Sequence, residues 1–210
     1  MYDVNWALNF TGFSKEEPMD LHQFILFYHE HIADFDFQFN TTDTNSPVFI
    51  VSSRWSQLPH LMGMKHWTNL PVQQPEKQYE QMHSGKWDLE FLRSADEHAW
   101  NEFLPRIEFL PNLYKMLYQG NCTIKLVHKT MDSKFRRRNM DMIFISPQGD
   151  IVFVLELRKG RDNIFFPSSV TQYSPNDNTL KGKHNLLKIT SITHEKVVSK
   201  PIESKPKKRK

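Results

Sequence analysis

Three groups of side chains have the types and spacing to act on a phosphate ester. The first is His60 in LPHLMGMKHW, where Pro59 before it and Gly63 after it predict a rigid turn that holds an imidazole in one orientation. A histidine titrating near neutrality takes a proton from a ribose 2′-hydroxyl or returns one to a leaving 5′-oxygen; the plainer reading is that His60 caps the following short helix. The second group is cationic: Lys125 and Lys129 on one strand, Arg158, Lys159 and Arg161 at the end of another, and Arg136, Arg137 and Arg138 of KFRRR between strands. Cations beside a reacting phosphate stabilise its pentacoordinate transition state, and arginine does so with two parallel hydrogen bonds; as a plain sequence feature, KFRRR is equally a charged turn. The third is Ser168, Ser169 and Thr171 of FFPSSVTQY, hydroxyls that either hold a phosphate oxygen or form a turn beside proline. His22, His29 and His31 also cluster, but their spacing is not the i, i+3 or i, i+4 of two converging ligands, so no metal site is expected.

These groups need elements to position them. Residues 19–33 carry apolar side chains at Leu21, Phe24, Ile25, Tyr28 and Ile32, which predicts a helix. DFDFQFN alternates with period two and SPVFIVSS is a short apolar run, so the two predict a hairpin through TTDTNS. The LPHLMGM stretch reads as an irregular turn or short helix. Residues 76–96 and 98–118 read as helical, interrupted by Pro105 and Pro111. From Cys122 the pattern becomes that of strands: CTIKLVH, MDMIFIS, IVFVLEL, NIFFPSSV and HNLLKITSI. The expected fold is α+β, with N-terminal helices and a hairpin packed on a four- to five-stranded antiparallel sheet. Residues 1–196 are expected to form one domain and 197–210 a disordered basic tail.

Composition narrows the classes. The 210 residues are 39% hydrophobic with 16 Phe and 5 Trp, enough for a sizeable core, while a mean hydropathy of −0.60 implies a very polar surface. No long uncharged apolar run is present and MYDVNWALNF lacks a signal-peptide pattern; with the single Cys122, a cytoplasmic home and no membrane contact are expected. The net charge of +3 conceals an asymmetry: residues 1–120 hold 8 basic and 16 acidic side chains, whereas 121–161 hold 9 and 4, and 200–210 hold 6 and 1. The last two segments are where a phosphate backbone is attracted. There is no GxGxxG, Walker loop, nucleophile elbow or CxxC pair, so no small-molecule cofactor is expected.

LPHLMGM after a hairpin, MDMIFIS followed by IVFVLELRKG, and NIFFPSSV before a last strand together resemble the phage-associated branch of the barnase, EndoU, colicin and RelE-like RNases, its fourth group, over roughly residues 20–195. The resemblance implies a metal-independent endoribonuclease found in toxin-like or mobile-element settings, with helices on a four-stranded antiparallel sheet. It implies His60 as the loop histidine, Ser168 or Ser169 as the polar residue of the F-x-P-x-[ST] motif, and Arg158 or Lys159 as the strand cation. Lys129, Arg136, Arg137, Arg138 and Thr171 then bind substrate. The partners implied are RNA and an inhibitory protein. The product is a 2′,3′-cyclic phosphate. Two other readings compete. DMIFISPQGDIVFVLELRK resembles a loose PD-(D/E)xK hairpin, a metal-dependent DNA nuclease with Asp141 or Asp150 and Glu156 as ligands, although Arg158 stands where that motif needs lysine. A nucleic-acid-binding module without catalysis would use the same basic and aromatic residues.

Overall fold

The computed structural model describes residues 2–14, 17–127, 139–181 and 185–197. Four of its helices begin where an aspartate side chain satisfies one of the first N–H groups. Asp3 caps α1 (Val4–Asn9), Asp20 caps α2 (Leu21–His31), Asp88 caps α5 (Leu89–Ala95) and Asp96 caps α6 (Glu97–Phe109). The stretch expected as helix over 76–96 is therefore two, α4 (Pro75–His83) and α5, and that over 98–118 is α6 followed by α7 (Asn112–Gln119). Pro111 separates α6 from α7, as the sequence suggests. Pro105 does not interrupt: it sits inside α6, and the carbonyl it orphans belongs to exposed Asn101, where water can satisfy it. No described helix is long and apolar enough to cross a membrane.

The described strands are β1 (Phe35–Thr41), β2 (Val48–Ser52), β3 (Thr123–Leu126), β4 (Met142–Gln148), β5 (Ile151–Lys159), β6 (Ile164–Tyr173), β7 (Asn185–Leu187) and β8 (Ile189–Lys196). They form one sheet in the order β7-β3-β4-β5-β6-β2-β1-β8. The class is α+β, as expected, but a sheet of four or five strands undercounts it. The hairpin β1–β2 does not pack on the sheet; it belongs to it, through a parallel pairing of β2 with β6 and an antiparallel pairing of β1 with β8. HNLLKITSI is two strands that break at Lys188 and pair at opposite ends of the sheet. Period-two alternation marks a strand without naming its neighbour, and the hairpin's partners β6 and β8 lie more than a hundred residues away in sequence.

Phenylalanines fasten the hairpin to the C-terminal strands. Phe39 of β1 stacks on Phe49 of β2 at 4.9 Å, Phe144 of β4 meets both edge-on at 5.4 and 6.4 Å, and Phe165 of β6 meets Phe49 at 5.8 Å. All four are buried. On the helical side, Phe109 of α6 stacks on Phe153 of β5 at 4.2 Å.

Two irregularities in β6 matter for the site. β5 and β6 slip register between Glu156, which pairs with Ser169, and Leu157, which pairs with Pro167, so Ser168 is an extra residue on β6. Proline donates no ladder hydrogen bond, and an interior strand accepts it at such a bulge. In addition, β2 pairs with β6 only at Ile164 and Phe165. Beyond that point, among the described residues, β5 is the only strand beside β6, and α3 (Leu58–Leu61) and α6 pack along it instead.

Replacing Phe144 by Ala should cost about 3–5 kcal/mol, the range for losing a fully buried aromatic ring that bridges elements. Urea unfolding of the variant measures it, and a loss under about 1 kcal/mol would mean that these rings do not join the hairpin to the sheet.

Candidate active site

The short helix α3 buries Leu58, Pro59 and Leu61 and leaves His60 facing solvent. The capping role is not seen: the following 3-10 turn, Met64–His66, has Gly63 as its cap, with no side-chain hydrogen bond to it. Gly63 has φ +78°, and a Cβ there would lie 2.4 Å from Cδ1 of Phe103. Glycine is thus required both by backbone conformation and by the approach of the turn to α6. The chain then turns so that the His66 ring lies on the Phe103 ring, 4.9 Å between centroids and 13° from parallel. Trp67 closes the segment, fully buried, its indole N–H donating to the Leu92 carbonyl at 3.2 Å.

Between this loop, α6 and the strands β5 and β6 lies a cavity of about 410 Å³. The loop contributes His60, Lys65 and His66; α6 contributes Glu102, Phe103 and Arg106; β5 contributes Glu156 and Arg158; β6 contributes Ser168, Ser169 and Thr171. The bulge explains why two consecutive serines line one cavity, since consecutive residues of a regular strand face opposite sides. Glu156 is buried at 1% exposure and accepts a hydrogen bond from the Thr171 hydroxyl at 2.8 Å, with the Tyr173 hydroxyl at 3.5 Å. The Arg106 guanidinium stands 4.5 Å from the Phe103 ring centre.

Both histidines titrate below their ordinary value of 6.5. For His60 the main cause is partial desolvation, followed by the charge of Lys65, with Arg158 adding to it and Glu76 opposing. For His66 desolvation again leads, then Lys65, with Glu102 opposing and Arg106 adding. Each imidazole is therefore held toward its neutral, proton-accepting form. Cys122 takes no such role, because burial pushes its thiol up to about 12.

Five residues singled out for the ribonuclease reading thus meet in one cavity: His60, Arg158, Ser168, Ser169 and Thr171. Lys159 does not. It pairs with Phe165 on the other face of β5, its ammonium 5.9 Å from that ring, and it lines a separate cavity with Asp141. Lys125 donates to the Leu180 carbonyl at 3.1 Å, also away from the site. Lys129, Arg136, Arg137 and Arg138 lie outside the described residues, as do residues 198–210 of the basic tail. Sequence reasoning missed His66, Arg106, Lys65 and Glu102 as lining residues. His66 carried a signal, since it sits in the same Pro–Gly loop as His60; Arg106 is one charge among many on a helix.

The hairpin read as a metal site does not assemble as one. Asp141 accepts from the Lys159 backbone N–H at 2.8 Å and lines the other cavity, Asp150 lies in the turn at the far end of β5, and Glu156 lines the histidine cavity. Of the clustered histidines, His29 bonds the Tyr79 hydroxyl at 2.9 Å, His22 approaches the Met82 carbonyl at 3.4 Å, and His31 lies against Phe27 and Tyr114. Among the described residues no three His, Cys, Asp or Glu side chains are grouped to hold a metal ion.

A sequence model of the family described as phage-Barnase-EndoU-ColicinE5/D-RelE like nuclease 4 matches residues 20–210. The chain belongs to that family. The match begins at the cap of α2 and spans every element that lines the histidine cavity, leaving only α1 and its flanks outside. Neither the curated proteins nor the solved structures give a match. For this member of the phage-associated nuclease family, the cavity is the candidate active site because the loop histidine, the serines and the strand cation highlighted by the sequence line it together.

Gly63→Ala should lower stability by more than about 1 kcal/mol, because the added methyl meets a buried ring at a left-handed backbone position. Thermal melting checks this, and an unchanged midpoint would show that the turn does not rest on Phe103.

Proposed function

We propose that the chain is a metal-independent endoribonuclease that cleaves by attack of the ribose 2′-hydroxyl and leaves a 2′,3′-cyclic phosphate. One observation carries the reading: His60, Arg158 and the serine bulge, brought from three different elements, line the same cavity. That set matches the needs of the reaction. His60, held toward its neutral form, accepts the 2′-hydroxyl proton as the oxygen attacks phosphorus; the bond from phosphorus to the 5′-oxygen breaks, that oxygen leaves as a hydroxyl with a proton from water, and His60 returns its own proton to solvent. Arg158 and Arg106 face the nonbridging oxygens, whose charge grows in the transition state, and the Ser168 and Ser169 hydroxyls donate to them. Thr171 is held by buried Glu156 and fixes the wall behind the bulge. The strand cation of this reading is Arg158, and Lys159 takes no part.

The decisive assay is labelled single-stranded RNA and DNA with purified protein, each in EDTA and in magnesium, with product ends identified by mass. The expected outcome is RNA cut in EDTA to cyclic phosphate ends and DNA left whole. Cleavage of DNA only with magnesium would overturn the reading.

His60→Ala should lower the RNA rate by about 100- to 10,000-fold at unchanged melting temperature, the usual range for removing a proton-transfer group. Full activity in that variant removes His60 from the chemistry. The pH profile gives a second check. A general base works when neutral, so kcat/KM should rise with pH through a midpoint below 6.5, and the limb should vanish in His60→Ala.

A further inference from the structure

The cavity is chemically two-sided. On one side Arg158 and the bulge serines offer cations and hydroxyls to a phosphate. On the other, His66 stands exposed at the rim, its ring laid on buried Phe103, with Lys65, Glu102 and Arg106 as its charged neighbours. A neutral flat group is well suited: the imidazole plane is backed by a buried ring, since Phe103 packs against Gly63 and Trp67 and is flanked by Arg106. Partial desolvation and the charges of Lys65 and Arg106 favour the uncharged imidazole, which leaves a π-face without a net charge.

We infer that the His66 ring, backed by Phe103, is a shelf on which an unpaired nucleobase stacks beside the scissile phosphate, so that the site takes single-stranded RNA in preference to duplex. This deepens the endoribonuclease reading and rests on it for the position of the phosphate. A base inside a duplex already stacks on both faces, and the shelf is reached only by one that is splayed out. Stacking has no sequence code, because every base has a π-face; the shelf selects strandedness and not a particular base.

Binding is measured with 2′-O-methyl RNA, which lacks the attacking hydroxyl, carrying a fluorescent 2-aminopurine next to the central phosphate. The wild-type chain should bind the single strand and quench the fluorophore, and bind the same sequence as duplex more weakly. His66→Ala should weaken single-strand binding by about tenfold and lose the quench, as truncation of a stacking side chain does. His66→Phe should restore both, since it keeps a ring and removes the titrating nitrogens. Cleavage of unmodified RNA is followed in parallel. Loss of activity in His66→Phe equal to that in His66→Ala, with binding intact, would make His66 a proton-transfer group and overturn the shelf. Equal binding of single strand and duplex, or no effect of His66→Ala, would overturn it as well. Failure of the wild-type chain to cut RNA, with His66-dependent quenching retained, would sink the nuclease reading and leave the shelf.

Discussion

The approach of Gly63 to the face of Phe103 is the contact on which the site depends. Backbone hydrogen bonds from Met62 to Leu58, Gly63 to His60, His66 to Gly63 and Trp67 to Met64 shape the turn that carries both histidines, and its position over α6 is set by how closely its backbone can come to one buried ring. Because residue 63 has no Cβ, the turn descends onto Phe103, and His66 then falls on the same ring. Three residues further along α6, Arg106 reaches the ring from its own helix. One ring therefore has both an imidazole and a guanidinium packed on it.

The opposite wall owes its shape to a backbone constraint. Pro167 removes a donor from a strand that lies within the sheet, and β6 answers with an extra residue. The cost to the ladder is local. The result is that Ser168 and Ser169 line one cavity, next to Arg158 on the adjacent strand, while Lys159 is carried to the other face. Early departure of β2 from β6 opens the side along which α3 and α6 approach. Had β2 continued beside β6, the histidine loop would have no strand against which to form a pocket.

Electrostatics follow from this layout. The N-terminal 120 residues are acidic as a set, yet the cavity they help to build gathers Lys65 and Arg106 from that half and Arg158 from the basic segment. The local balance thus differs from that of the chain around it, which suits an anionic substrate approached by two histidines kept toward neutrality. The family match, over residues 20–210, includes every residue that lines this cavity.

By itself the sequence determined the local elements and the chemical vocabulary. Periodicity located α2, the hairpin and the C-terminal strands, because apolar spacing reports which face of an element is buried. The Pro–His–Gly loop, the F-x-P-x-S strand and the arginine after Leu157 were legible as candidates, because proline and glycine constrain the backbone within a few residues of where they stand. Strand partners were not legible: the same alternation fits any neighbour, and what joins the hairpin to its distant strands is the pairing of β2 with β6 and of β1 with β8 together with the packing of Phe39, Phe49, Phe144 and Phe165. The tertiary structure also separated Arg158 from Lys159, since a face of a sheet is defined by register, and it brought in Arg106 and Glu102, whose helix carries no mark of what it will meet. Local sequence encodes conformation and chemistry within a few residues; convergence on a common cavity is a property of how distant surfaces fit together.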